Sequence, residues 1–238
     1  MESGVILSAK YAFPPNRLKY CGANSFQNAL ASFSKGTASA SLLERELKKF
    51  RVQNAYLRLI ARCSGLKPFD KKVTEAFWLG NPILEKVGEN DLRTFILRNL
   101  FGPGLLSASR AKKIASRIRP GCSPHHSFHA LFVGSATGKM RRTLGNASSC
   151  LVRWGEVESA LDGKAVVRAS GLERKNGKVI FGRPRSSLFN SPFEKLHRGD
   201  PVSLHWDCVV QKLSRRRLAN LKKWTLRNLS AFNRAEAR

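Results

Sequence analysis

The first half of the chain carries apolar residues at helical spacing. The clearest stretch alternates steps of four and three positions, with one polar residue in the series: Leu43, Leu47, Phe50, Asn54, Leu57 and Ala61. This rhythm predicts one amphipathic helix over residues 43–61. Asp70 can cap a second helix, Asn90 can cap a third, and a short fourth covers 111–118. We therefore predict that residues 1–120 are helical.

After Pro124 the pattern changes to short runs of β-branched and aromatic residues, which are typical of strands. These runs occupy residues 151–157, 165–169, 179–181 and 202–210. Asn176-Gly177 favours a tight hairpin turn, because both central residues of such a turn need positive φ. The pattern predicts a small antiparallel sheet or barrel within residues 121–213.

From Ser214 the helical period returns. One side of this stretch is apolar, and basic residues fill much of the rest. The predicted fold class is α+β, with a helical N-terminal half packed on a small antiparallel β-sheet or barrel and a basic C-terminal helix. Its three regions are residues 1–120 (helical), 121–213 (β-rich, with a histidine cluster) and 214–238 (the basic helix).

The charge balance narrows the choice of partner. Among 238 residues, 43 Lys+Arg face 16 Asp+Glu, a net charge of +27. Such an excess favours a nucleic acid, an acidic membrane surface or an acidic protein as partner, although basic side chains that merely face solvent would give the same excess. If Trp224 is exposed it can stack on a base, and the alternative puts it in the core. The candidate nucleic-acid contacts are Lys112, Lys113, Arg141, Arg142, Arg215, Arg216, Arg217, Lys222, Lys223 and Trp224.

Two absences set the expected compartment. No stretch reaches the roughly 18 uncharged apolar residues that a membrane span needs, and Lys10 interrupts the apolar N-terminal stretch. The five cysteines contain no C-x-x-C pair, which disfavours both a disulfide framework and a zinc ribbon. We expect a cytoplasmic protein without a transmembrane segment.

Three of the five histidines lie together in Cys122-Ser123-Pro124-His125-His126-Ser127-Phe128-His129. Side chains four positions apart share a face on a strand or on a helix, so His125 and His129 are expected to converge. Neutral imidazoles bind zinc, nickel or iron, and one of them can also act as a base. Further donors for a metal site are His126, His205, Asp207 and Cys208. The competing interpretation is that these histidines are structural, and whether the protein is an enzyme stays open.

A glycine-rich segment, Gly134-Ser135-Ala136-Thr137-Gly138-Lys139, follows the apolar run 130–133. A strand, a glycine loop and a lysine are the layout that cradles phosphates. The segment is one residue shorter than that motif requires, and Met140 stands where a magnesium-binding hydroxyl belongs. We expect no nucleotide cofactor.

Several blocks of the chain form a recognisable set: Pro14-Pro15-Asn16 with Tyr20-Cys21-Gly22, Ala55-Tyr56-Leu57, residues 75–81, and His125 to His129. Together they resemble an uncharacterised prokaryotic protein family with PPN, YCG and HHSFH motifs. Members of that family are sometimes encoded near nickel–iron hydrogenase genes, so the resemblance, which covers residues 11–133, implies an accessory or maturation role near a metalloenzyme. It implies no catalytic residues.

The leading hypothesis is a cytoplasmic accessory protein that binds a transition metal or a metalloenzyme partner through the histidine cluster. The alternative is a non-catalytic RNA- or DNA-binding protein that uses its basic residues.

Overall fold

The structure is a computed structural model that describes residues 3–237, and it has the α+β architecture predicted from the sequence. Helices occupy the chain up to Cys150, strands follow, and a long helix ends it. The helices are α1 (Gly4–Arg17), α2 (Ser25–Ser34), α3 (Ala40–Lys48), α4 (Arg51–Ser64), α5 (Lys71–Trp78), α6 (Glu89–Arg98), α7 (Ala108–Ser116), α8 (His126–Phe128), α9 (Leu144–Cys150) and α10 (Arg215–Glu236).

The single helix predicted over residues 43–61 is two helices, α3 and α4, which meet at Phe50. Phe50 leaves helical geometry with φ −77° and ψ 74°, and its ring packs edge-on against Phe26 at 4.8 Å. Gly22 lies under the same ring, where a Cβ atom would come within 2.2 Å of it. The apolar series continues across the break because both helices bury the same side of the pattern.

The second predicted helix begins as expected and ends early. Asp70 accepts a hydrogen bond from the amide of Lys72 and caps α5. Gly80 then takes a φ of +80°, and a separate 3₁₀ helix spans Pro82–Lys86. The third predicted helix, α6, starts after Gly88 rather than at an Asn90 cap.

Residues 121–150 correct the sequence interpretation, because this part of the predicted β-rich region contains short helices and loops in place of strands. After α8 comes a π-helical turn over His129–Val133, and α9 follows. The apolar run 130–133 is buried on all sides, and such a short run does not distinguish a buried strand from a buried helix.

The sheet is a closed five-stranded barrel with the order β1-β2-β5-β7-β6, and β3 and β4 form a separate hairpin. As predicted, Asn176 and Gly177 both take positive φ in the turn of that hairpin. The predicted strand 202–210 is two strands that turn at Trp206 (φ 56°) and Asp207. The strands are β1 (Arg153–Leu161), β2 (Lys164–Ala169), β3 (Leu172–Lys175), β4 (Lys178–Phe181), β5 (Arg185–Asn190), β6 (Pro201–His205) and β7 (Cys208–Lys212).

Helix α10 confirms the predicted C-terminal helix and corrects one candidate contact. Ser214 caps it by accepting from the amide of Arg217. Trp224 is 1% exposed, and a Cβ on Gly80 would lie 2.1 Å from its ring. Trp224 therefore packs in the core, where it is not available to stack on a base.

One apolar cluster joins residues from α1, α4–α7, the π-helical turn and α10. A second cluster fills the barrel.

Within residues 3–237, no helix is long and apolar enough to cross a membrane.

Candidate metal centre and adjoining cavity

Three buried side chains bring potential metal donors together where α8, α9 and β6 meet. They are His126 on α8, Cys150 at the end of α9 and His205 at the end of β6, and one donor atom from each lies within 4.8 Å of the other two. Both histidines were among the sequence candidates, whereas Cys150 was not. Nothing in the local sequence marks Cys150, since its partners come from distant segments.

The orientation of His205 depends on the double proline in α1. Pro15 has no amide hydrogen, so the carbonyl of Tyr11, four residues earlier, lacks its usual helical donor. His205 Nδ1 lies 2.8 Å from that carbonyl oxygen. A ring that donates from Nδ1 keeps its Nε2 lone pair free, which is how metal-binding histidines are commonly oriented.

His126 is held by the C-terminal helix and by aromatic rings. Asn228 on α10 accepts from the amide of Ser123 and donates to the carbonyl of Ser123 and to Ser127 Oγ, so it fixes the chain on both sides of His126. The imidazole stacks on Trp78 with ring centroids 4.5 Å apart. It meets the His205 ring nearly at right angles, at 5.1 Å.

Cys150 is brought to the two histidines by the turn between β6 and β7. The amide of Trp206 donates to the carbonyl of Ser149 at 2.8 Å. This bond joins the end of α9 to the residue that follows His205, and thus places the thiol beside the imidazole.

Burial controls the protonation of the cluster. It lowers the pKa of His205 to about 4 and that of His126 well below its ordinary value, and it raises the pKa of the Cys150 thiol. The imidazoles are therefore neutral near pH 7. His126 Nδ1 and His205 Nε2 are buried and have no hydrogen-bond partner among the described residues. Buried polar atoms without partners are rare, and an ion between these donors would satisfy them.

Of the other predicted ligands, His129 lines the same cavity, whereas His125, Asp207 and Cys208 make other contacts. The His125 ring lies 2.7 Å from Ser127 Oγ and accepts from the Ser127 amide, which caps α8. Asp207 pairs with Arg17 and Asn190 at the surface, and Cys208 contacts Asp207. His129 is closer to the cluster, with its ring 5.8 Å from that of His126.

A cavity of about 340 Å³ adjoins the cluster. His126, Cys150 and His205 all line it, together with His129. The loop after α1 contributes Cys21, and Asn16 holds that loop through bonds to the carbonyls of Cys21 and Ala23. The PPN, YCG and HHSFH motifs thus all contribute to this cavity. The glycine-rich segment lies along it as well, through Gly134 to Thr137 and Lys139.

The basic residues predicted to contact nucleic acid are spread over several surfaces. Lys112, Lys113, Arg141, Arg142, Arg215, Arg216, Lys222 and Lys223 are exposed. Some of these charges already have partners: Arg217 bonds Glu75 and Gln211, and Lys223 lies 3.4 Å from Glu85.

Helices α4 and α6 form a basic groove that the sequence analysis missed. Its volume is about 530 Å³, and none of its described lining residues is acidic. The sequence signal is the spacing of Arg51, Arg58 and Arg62, which puts them on the polar side of the amphipathic pattern. The basic lining residues are Lys48, Arg51, Arg58, Arg62 and Arg98.

Comparison with known proteins assigns the chain to a family whose function is unknown. The model described as "Family of unknown function (DUF6390)" matches residues 1–238, so the chain belongs to that family. Neither the curated proteins nor the solved structures contain a match to the chain.

Proposed function

We propose that this member of the DUF6390 family is a cytoplasmic accessory protein that binds one transition metal ion through His126, Cys150 and His205. The observation that carries the proposal is the meeting of three buried donor atoms within 4.8 Å of one another. Two of the nitrogens in this cluster lack any other partner among the described residues.

The donor set restricts the metal. Two imidazoles and one thiolate suit zinc, nickel or iron, whereas calcium and magnesium prefer oxygen ligands. Three protein ligands leave a coordination position open, as in sites that bind substrate or exchange their ion, whereas structural zinc sites are closed by four protein ligands. The adjoining cavity supports this open arrangement.

The accessory role rests on the resemblance described above. A family sometimes encoded near nickel–iron hydrogenase genes would supply or service a metalloenzyme, and a buried site with an exchangeable position suits that task. Nickel therefore belongs beside zinc and iron among the ions to test.

The test is metal binding by protein purified without a histidine tag. We expect one Zn²⁺, Ni²⁺ or Co²⁺ per chain, and a thiolate-to-metal charge-transfer band in the Co²⁺ form. Cys150→Ser should abolish that band, while His126→Leu and His205→Leu should lower the affinity. Cys63→Ser and His197→Leu are matched controls, because both residues lie outside the cluster. An unchanged band in Cys150→Ser, or no ion bound to the wild type, would refute the proposal.

The basic groove favours a second candidate, a non-catalytic RNA- or DNA-binding function. Five cationic side chains along one groove, in a chain of net charge +27, suit a phosphate backbone. Arg58 and Arg98 line this groove from two different helices.

This candidate is tested by the salt dependence of single-stranded RNA and DNA binding. The slope of the logarithm of the binding constant against the logarithm of the salt concentration is negative, and Arg58→Ala with Arg98→Ala should reduce its magnitude by about 1.5. Lys164→Ala with Lys175→Ala is the control for charge alone, because both lysines are exposed and lie outside the groove and the candidate contacts. Arg215, Arg216 and Arg217 changed to Ala test the other predicted surface. Equal losses of nucleic-acid affinity in all three variants would refute recognition by the groove.

A further inference from the structure

We infer that the cavity beside His126, Cys150 and His205 binds a small organic oxyanion, a carboxylate or phosphate group carried on a flat apolar body. The inference deepens the proposed function, and it rests on it for one contact only, that of the anionic group with the bound ion.

The charges along the cavity select for an anion. Lys49, Arg51 and Lys139 are exposed residues that line it, and none of its described lining residues is acidic. Lys49 is partly neutralised by Glu46 at 2.6 Å, and Arg51 donates to the carbonyl of Pro103. A cleft lined by one sign of charge concentrates ligands of the opposite sign.

Buried donors in the cavity wall also call for an acceptor. Gln53 Nε2, Trp78 Nε1 and Trp206 Nε1 have no hydrogen-bond partner within the part of the chain that the structure describes, and all three residues line the cavity. A buried donor without an acceptor costs roughly 1–3 kcal/mol. An acceptor oxygen of a ligand that reaches these nitrogens from the cavity would remove this penalty, whereas an apolar ligand would not.

The glycine-rich segment that lines the cavity also favours an anion. Arg110 donates to the carbonyls of Val133 and Ser135, at the beginning of that segment. The carbonyl oxygen of Ser135, a residue that lines the cavity, is therefore bound to a cation and does not repel an anion.

The size and walls of the cavity define the rest of the ligand. Its volume of about 340 Å³ is at the lower end of the range for small-molecule sites. Aromatic rings supply much of the wall, and two of them, Tyr20 and Trp206, lie 4.7 Å apart. Such walls favour a flat apolar body. With a metal at the cluster, an oxygen of the anionic group would occupy the open coordination position.

The test compares three probes of similar shape: benzoate, phenyl phosphate and the neutral benzamide. Binding is measured by calorimetry, and by tryptophan fluorescence because Trp78 and Trp206 line the cavity. We expect at least one of the two anions to bind about tenfold or more tightly than benzamide. Benzamide that binds as tightly as both anions would overturn the inference.

Two variants locate the binding site. Gln53→Glu replaces a buried donor with a carboxylate and should weaken anion binding about tenfold or more. Gln27→Glu makes the same change on α2, outside the cavity, and should have no effect. Lys139→Gln, at an exposed position, should weaken anion binding severalfold and covers the case in which Gln53→Glu does not fold. Wild-type anion affinity in Lys139→Gln and in folded Gln53→Glu would contradict the inference.

Metal content is measured on the same samples before the probes are added, which separates the two proposals. If the ion binds and neither anion does, the inference fails and the metal site stands. If the anions bind with the expected selectivity to a protein that takes up no ion, the metal proposal fails and the anion site stands without its metal contact.

Discussion

The barrel interior and the chamber around His126 are both buried, but aliphatic side chains fill most of the first, whereas aromatic and histidine rings form the second. The barrel is filled by apolar side chains such as Val167, Val202 and Leu204. The chamber, which we define as the rings of Tyr11, Tyr56, Phe77, Trp78, His126, His129 and His205, is joined by ring contacts. Five of these seven residues carry a buried polar atom without a partner among the described residues: Tyr56, Trp78, His126, His129 and His205.

This difference suits the barrel to a structural role and the chamber to a functional one. An apolar interior contributes stability in proportion to the area it buries, whereas unpartnered polar atoms lower stability and persist where a function uses them. The barrel therefore fixes the position of His205, and the chamber carries the chemistry.

The largest effect is the pH dependence of stability in the metal-free protein, which should come from the chamber. Burial lowers the pKa of His129 and His205 from 6.5 to about 4. The unfolded chain therefore binds protons between pH 6.5 and 4 that the folded chain does not. Above pH 6.5 these imidazoles are neutral in both states and the free energy of unfolding is at its full value. As the pH drops from 6.5 to 4, each imidazole lowers the free energy of unfolding by about 3 kcal/mol.

Urea unfolding at a series of pH values measures this loss. His129→Leu removes one of the four buried histidines whose pKa is lowered, which are His125, His126, His129 and His205, and should reduce the pH dependence of the free energy of unfolding without abolishing it. His197→Leu, at an exposed position, should leave it unchanged. If His129→Leu and the wild type lose stability in parallel, burial of His129 is not the cause.

The second effect concerns the barrel. Leu204→Ala should lower the free energy of unfolding by about 2–5 kcal/mol, because it leaves a cavity in a packed apolar interior. Leu188 is 62% exposed on β5, and Leu188→Ala should cost no more than about 0.5 kcal/mol. Denaturant unfolding of both variants makes the comparison, and equal losses would contradict the role of the barrel as scaffold.

The smallest effect is the replacement of a chamber imidazole by an apolar side chain of similar size. His126→Leu removes a buried polar atom without a partner, so the free energy of unfolding of the metal-free protein should change by no more than about 1 kcal/mol. The affinity for metal should fall in the same variant. A destabilisation as large as that of Leu204→Ala would mean that His126 is structural.

The errors of the sequence analysis have a common physical origin. Local periodicity located most helices and strands, because burial of one side repeats every 3.6 or 2 residues. It did not find the break at Phe50, which depends on contacts with Phe26 and Gly22. It also assigned residues 121–150 to the β-rich region, because the apolar run 130–133 has no polar side that would reveal its period. The mainly polar strands β3 and β5 were missed for the opposite reason.

Periodicity and composition were enough to establish the α+β class, the excess of positive charge, and His126 and His205 as candidate donors. The packing of the folded chain shows that Cys150 joins them and that His125, Asp207 and Cys208 do not. The reason is that a metal site depends on distances between side chains from separate segments. Here those distances depend on long-range contacts, such as that of His205 with the Tyr11 carbonyl, which Pro15 leaves without a helical donor. No local pattern records such a contact.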